Sequence, residues 1–157
     1  MTLKNSLSAN MEDYLEAIYI LSGDSGVARV KDISRQLEVK SSSVSSALKV
    51  LSAKGLVEHE CYGYAQLTEA GRKEASKVLR RHKTLIKFLT DILDINMSDA
   101  KKDACRIEHS LSPDTFKRLT KFMTFVENCP QGKNPQWLDG FHNYLKTGKH
   151  QGCNLKN

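Results

Sequence analysis

Cys105, Glu108 and His109 stand at i, i+3 and i+4 in the run Asp103-Ala104-Cys105-Arg106-Ile107-Glu108-His109. On a helix that spacing projects a thiol, a carboxylate and an imidazole from one face within one turn. Together they make half of a transition-metal site, whose other ligands must come from other helices. Asp13 and Glu16 are one turn apart off the apolar stripe of a predicted helix, and read either as a solvated face or as further ligands. His82 lies inside an apolar stripe, where a lone histidine is ordinarily a hydrogen-bonded core residue. The four cysteines, Cys61, Cys105, Cys129 and Cys153, form no CxxC pair and predict no disulfide framework. Cys61 reads as a packed residue. The spacing of Cys129, His142, His150 and Cys153 matches no zinc signature, so these read as unrelated tail residues.

Periodicity places these groups on helices. A first helix is predicted over 8–22, with Met11, Tyr14, Leu15, Ile18 and Leu21 inward and Ser8 or Asn10 as its cap. A helix-turn-helix follows: a short helix over 30–37 and a turn at 38–40. Its second helix is capped by Ser41 or Ser42, runs to Lys54 and stops at Gly55. In that second helix Val44, Leu48 and Leu51 point inward, while Ser42, Ser43, Ser45, Ser46 and Lys49 point out. With Ser41, these short hydroxyls let the backbone approach base edges, and Lys49 suits a phosphate. Residues 56–61, a turn at 62–64 and a strand at 65–67 read as a hairpin wing with Tyr62 and Tyr64 at its tip. A long helix is predicted over 68–93, one capped by Ser98 through Leu111 with Ala100, Ala104, Ile107 and Leu111 inward, and another opened by Ser112-Pro113. A final helix opens at Asn134-Pro135, and a polar tail follows. The expected class is mainly α. A winged helix-turn-helix (1–70) precedes a helical region (71–128), whose amphipathic helices form either a dimer seam or simply the core, and a C-terminal helix and tail (129–157).

Composition sets outer bounds. The chain has 157 residues, 39% hydrophobic and 27% charged, and a net charge of +6; these are globular proportions. Positive charge is clustered: Arg29, Lys31, Arg35, Lys40, Lys49 and Lys54 face only Asp32 and Glu38 over 28–55. The long helix adds Arg72, Lys73, Lys77, Arg80, Arg81, Lys83 and Lys87 against Glu69 and Glu74. Such clusters suit an anionic partner such as DNA, or a solvated face. No apolar run reaches membrane-spanning length and the N-terminus lacks a signal-peptide core, so the expectation is a cytoplasmic protein with no membrane partner.

The motifs Met11-Glu12-Asp13-Tyr14-Leu15-Glu16-Ala17-Ile18-Tyr19, the helix-turn-helix around 41–44, Arg81-His82-Lys83 and Ala104-Cys105-Arg106-Ile107-Glu108-His109 occur in order over residues 10–125. In this they resemble the metal-dependent repressors that include the diphtheria toxin repressor and the manganese transport regulator, in the short form without an SH3-like domain. The resemblance implies metal ligands at Asp13, Glu16, His82, Glu108 and His109, with Cys105 as in the iron-type branch where manganese-type members carry glutamate. It therefore implies a homodimeric, Fe²⁺-responsive repressor (Mn²⁺ the alternative) that binds a palindromic double-stranded operator and silences metal-uptake genes. In that expectation the carboxylates repel one another without metal, and the ion selects the DNA-binding conformation. Two other classes compete: a thiol redox sensor on a winged helix, and a metalloenzyme. No nucleophile motif or phosphate loop supports the latter, and the chain is expected not to be an enzyme.

Overall fold

A computed structural model describes residues 7–59, 63–130 and 135–150; Cys61, Tyr62 and Cys153 lie outside the described residues. The element order is α1 (Ala9–Ser22), a 3₁₀ turn (Gly23–Ser25), β1 (Val27–Arg29), α2 (Val30–Gln36), α3 (Ser41–Ala53), β2 (Val57–His59), β3 (Tyr64–Leu67), α4 (Glu69–Lys87), a π-helical turn (Phe88–Ile92), α5 (Met97–Glu108), α6 (Pro113–Glu127) and α7 (Gln136–Thr147). The chain divides into two compact units, 1–80 and 81–157, and the division falls within α4.

The N-terminal unit is a winged helix. α1, α2 and α3 pack Tyr14, Leu15, Ile18, Ile33, Val44, Leu48 and Leu51 into one core, each at most 2% exposed. Their spacing is the three-to-four repeat read from sequence. A three-stranded antiparallel sheet, in the order β1-β3-β2, closes the core with Ala28, Val57, Ala65 and Leu67. Registers Arg29↔Tyr64 and Glu58↔Gln66 put the alternate residues on the outer face. The strand β1 was not expected; three residues after Gly26 give too short a signal, and only pairing with β3 reveals it. Tyr64, expected in the turn, begins β3 and is half-buried. The wing's turn is tied to the helix-turn-helix because Val30 N donates to Gly63 O at 2.8 Å.

Capping departs from expectation in this unit. Ser8 is the N-cap of α1 but accepts no side-chain bond, and the N-cap of α3 is Lys40, not Ser41 or Ser42. Carbonyls serve instead: Ser8 O receives Met11 N, and Lys40 O receives Ser43 N. Thr68 caps α4 through Gly71 N at 3.0 Å while donating to Gly55 O at 2.7 Å. Gly71 is needed at that junction, because a Cβ there would stand 1.8 Å from the Leu56 carbonyl oxygen.

The C-terminal unit has two smaller cores, one around Leu85, Leu89, Ala100 and Ala104, the other around Ile92, Met123, Val126 and Leu138. The long helix does not run uniformly to Leu93: it widens into the π-helical turn, and Leu93 N bonds to Phe88 O at 3.3 Å. α5 starts earlier than expected, with Asn96 and not Ser98 as its cap, Asn96 Oδ1 accepting from Asp99 N at 3.0 Å. It ends at Glu108, not Leu111, and Ile107 is 36% exposed, not inward. Ser112 caps α6 as expected, accepting from Thr115 N at 3.2 Å.

Candidate metal centre and nucleic-acid interface

Glu108 ends the last turn of α5 with its side chain fully buried at 0% exposure. A carboxylate taken wholly out of water costs several kcal/mol unless charge or hydrogen bonds replace the solvent. Two imidazoles are placed to do so. His82 Nδ1, from α4, stands 2.9 Å from Glu108 Oε2 and donates to it in the tautomer protonated there. His109 Nε2 stands 3.3 Å from Glu108 Oε1. That oxygen nevertheless receives no hydrogen bond among the described residues. Oε1 is thus a buried carboxylate oxygen with no hydrogen bond among the described residues, beside two imidazoles of the kind that can ligate a metal when neutral. Carboxylate and imidazole suit a divalent ion of the Mn²⁺, Fe²⁺ or Zn²⁺ type, so the donor set fits the implied metal.

The placement follows from the sequence. His82 sits on the partly apolar face of α4 and is half-buried, its side chain 19% exposed, as the stripe predicts. Glu108 and His109, consecutive at a helix end, share the site because α5 stops there: His109 is its C-cap, outside the regular turn. Cys105, one turn earlier, is an exposed thiol. In the N-terminal unit Asp13 and Glu16 are both half-buried, one turn apart on α1. Burial and then the adjacent Asp13 carboxylate hold the Tyr14 phenol above its ordinary range. Among the expected ligands the C-terminal unit therefore gathers His82, Glu108 and His109 into one cluster. His142, grouped with the tail, binds the Ile92 carbonyl at 3.1 Å through Nε2.

On α3, Ser41, Ser42, Ser43, Ser46 and Lys49 are exposed and Ser45 half-buried. Ser45 and Ser46 donate to the Ser41 and Ser42 carbonyls at 3.1 and 3.0 Å, so their protons are used within the helix. Ser41 Oγ instead lies 3.5 Å from Ser34 Oγ, against the turn of the helix-turn-helix. Sequence reasoning counted Arg29 only within a basic cluster and gave it no place of its own; its guanidinium lies 5.5 Å from the Tyr64 ring centroid. Its signal was weak: a single basic residue in a strand too short to read.

Comparison with known proteins bears on both features. A family model described as "Iron dependent repressor, N-terminal DNA binding domain" matches residues 6–65, and "Iron dependent repressor, metal binding and dimerisation domain" matches residues 68–136. An uncharacterized HTH-type transcriptional regulator of Methanocaldococcus jannaschii is 36% identical over 118 residues, 74% of this chain and 94% of that protein. The HTH-type transcriptional regulator MntR of Lysinibacillus sphaericus is 33% identical over 121 residues, 77% of this chain and 86% of that protein. Among solved structures, a manganese-dependent transcriptional repressor in complex with manganese superposes with a TM-score of 0.66 at 28% identity, over 77% of this chain. This chain spans 56% of that structure's length. These relatives are transcriptional regulators, not enzymes. No helix among the described residues is long and apolar enough to cross a membrane.

Proposed function

Because the chain belongs to the iron-dependent repressor family, which includes the diphtheria toxin repressor and the manganese transport regulator, we propose that it is a transcriptional repressor whose DNA binding requires a divalent transition metal, with Mn²⁺ as effector. The buried Glu108 carboxylate, set between His82 and His109 with one oxygen lacking a hydrogen bond, carries this reading. The names of the MntR relative and of the manganese-bound structure support the choice of ion. Cys105 supports a second reading, Fe²⁺, because a thiolate is softer than the glutamate of manganese-type members.

The proposed ligand set is Asp13, Glu16, His82, Cys105, Glu108 and His109, the first two and Cys105 resting on the motif match. A bound ion supplies the positive charge that this group of carboxylates otherwise lacks. Such an ion would be held by Glu108 together with neutral His82 and His109, and the two imidazoles also hold Glu108 in place. α3 enters the major groove of a palindromic operator with Ser42, Ser43, Ser45, Ser46 and Lys49, and Tyr62 and Tyr64 lie along the backbone. Residues 1–70 bind DNA, and 71–128 supply four of the six proposed metal ligands and pair two copies, so that the homodimer matches the operator's two-fold symmetry. The protein works in the cytoplasm and silences metal-uptake genes.

Operator affinity measured by fluorescence anisotropy tests this, in chelator, in Mn²⁺, and in Fe²⁺ without oxygen. Affinity should rise with metal, and equal affinity under all three conditions refutes the proposal. Cys105→Glu should raise the response to Mn²⁺ relative to Fe²⁺; unchanged selectivity removes the thiol from the ligand set.

A further inference from the structure

Arg29 is the last residue of β1 and also the N-cap of α2, so its backbone belongs at once to the wing sheet and to the helix-turn-helix. It pairs in register with Tyr64 at the start of β3, and both side chains lie on the outer face of the sheet. The guanidinium lies over the Tyr64 ring, 5.5 Å from its centroid, while Arg29 itself stays exposed. A guanidinium placed over a ring in this way keeps N–H donors that can pair with a phosphate. No carboxylate among the described residues pairs with it; the carboxylate of the same sheet face, Glu58, is in register with Gln66 instead. The next residue, Val30, is bonded to Gly63 in the wing turn at 2.8 Å, which holds strand end and turn together.

We propose that Arg29, held over Tyr64, is a DNA-backbone clamp that grips a phosphate where wing and helix-turn-helix meet. The proposal rests on the DNA-binding reading above and adds to it a residue outside the recognition helix. It also changes the role of Tyr64, whose ring orients the arginine and does not itself read DNA. A phosphate contact carries no sequence information, so the clamp contributes equally on any duplex and fixes the orientation of the wing.

The test measures binding of the full chain in saturating Mn²⁺ to a random-sequence duplex, across a range of salt. One released counterion contributes about 0.9 to the slope of log affinity against log salt, or roughly eightfold in affinity at 0.1 M. Arg29→Ala should lower the slope by about 0.9 per protomer and weaken binding by that factor. Tyr64→Leu, which keeps an apolar strand residue, should weaken binding by less. Arg29→Lys should restore the slope more fully than the affinity, because charge is kept and the stack is lost. An unchanged slope in Arg29→Ala overturns the proposal, even if the variant is less stable. So does a loss confined to particular base sequences. If the parent chain bound no duplex, the DNA-binding reading would fall with the clamp; loss in Lys49→Ala but not in Arg29→Ala overturns the clamp alone.

Discussion

The two units solve burial in opposite ways. In the N-terminal unit one apolar core takes residues from four helices and three strands, and its buried polar side chain, Ser22, donates to Ile18 O at 2.6 Å. The C-terminal unit divides its apolar residues between two small cores and buries Glu108 with an oxygen that receives no hydrogen bond among the described residues. It also leaves Phe125 66% exposed and Trp137 43% exposed. A unit that satisfies its own groups folds as a fixed reading head. One that buries an unsatisfied anion is stabilised by whatever cation binds there, and so its stability depends on ion concentration.

The largest expected effect probes the self-sufficient unit. Leu48, 0% exposed on α3, should cost about 2–5 kcal/mol on replacement by alanine. Urea denaturation should give the same loss in Mn²⁺ and in chelator; a loss seen only in chelator would erase the contrast. Next, the parent chain should gain about 2.7 kcal/mol when Mn²⁺ is roughly 100-fold above its dissociation constant, and Glu108→Gln should gain almost nothing. In chelator that variant should be at least as stable as the parent, since a buried charge has gone; calorimetry showing a full Mn²⁺ gain in Glu108→Gln would remove the anion from the account. Capping sharpens the contrast at smaller scale: Ser112→Ala should cost about 1 kcal/mol by losing the Thr115 N bond, whereas Ser8→Ala, with no side-chain bond to lose, should cost less in the same assay.

The smallest effect concerns Lys87, bonded to Glu127 on the surface of the C-terminal unit. That hydrogen bond is the main reason the ammonium titrates above its ordinary value of 10.5. A raised cationic pKa stabilises fully below the ordinary value and is lost as pH rises through the folded one. The exposed pair contributes at most about 1 kcal/mol. Lys87→Met should therefore differ slightly from the parent in thermal melts at neutral pH and converge with it in strong alkali.

The sequence made the helices legible wherever an apolar residue recurs every three or four positions, as in Val44, Leu48 and Leu51. Short or competing signals were not. Val27-Ala28-Arg29 is a strand only because β3 lies beside it, and Asn96 and Ser98 are both good caps two residues apart. Ile107 continues the stripe of α5 in sequence yet lies at its outer edge, because the helix ends one residue later. Glu108 and His109 were legible as ligand types, but that one carboxylate oxygen would be buried without a bond is a property of packing. The cross-strand stack of Arg29 on Tyr64 was hidden for the same reason: the residues are far apart in the chain and adjacent only through register.

The π-helical turn at Phe88–Ile92 has a further consequence, which concerns chain length. A π turn holds one residue more than an α turn of the same hydrogen-bond ladder. The helix of the C-terminal unit thus carries an insertion absorbed in place, which widens the ladder near the Ile92 carbonyl that His142 binds. Loss of a single residue here would restore an unbroken α-helix and shift the Ile92 carbonyl away from His142, one of the contacts that hold α7. Length variation at this one turn would then loosen one of the contacts that hold the last helix, with no change to any ligand or any residue facing DNA.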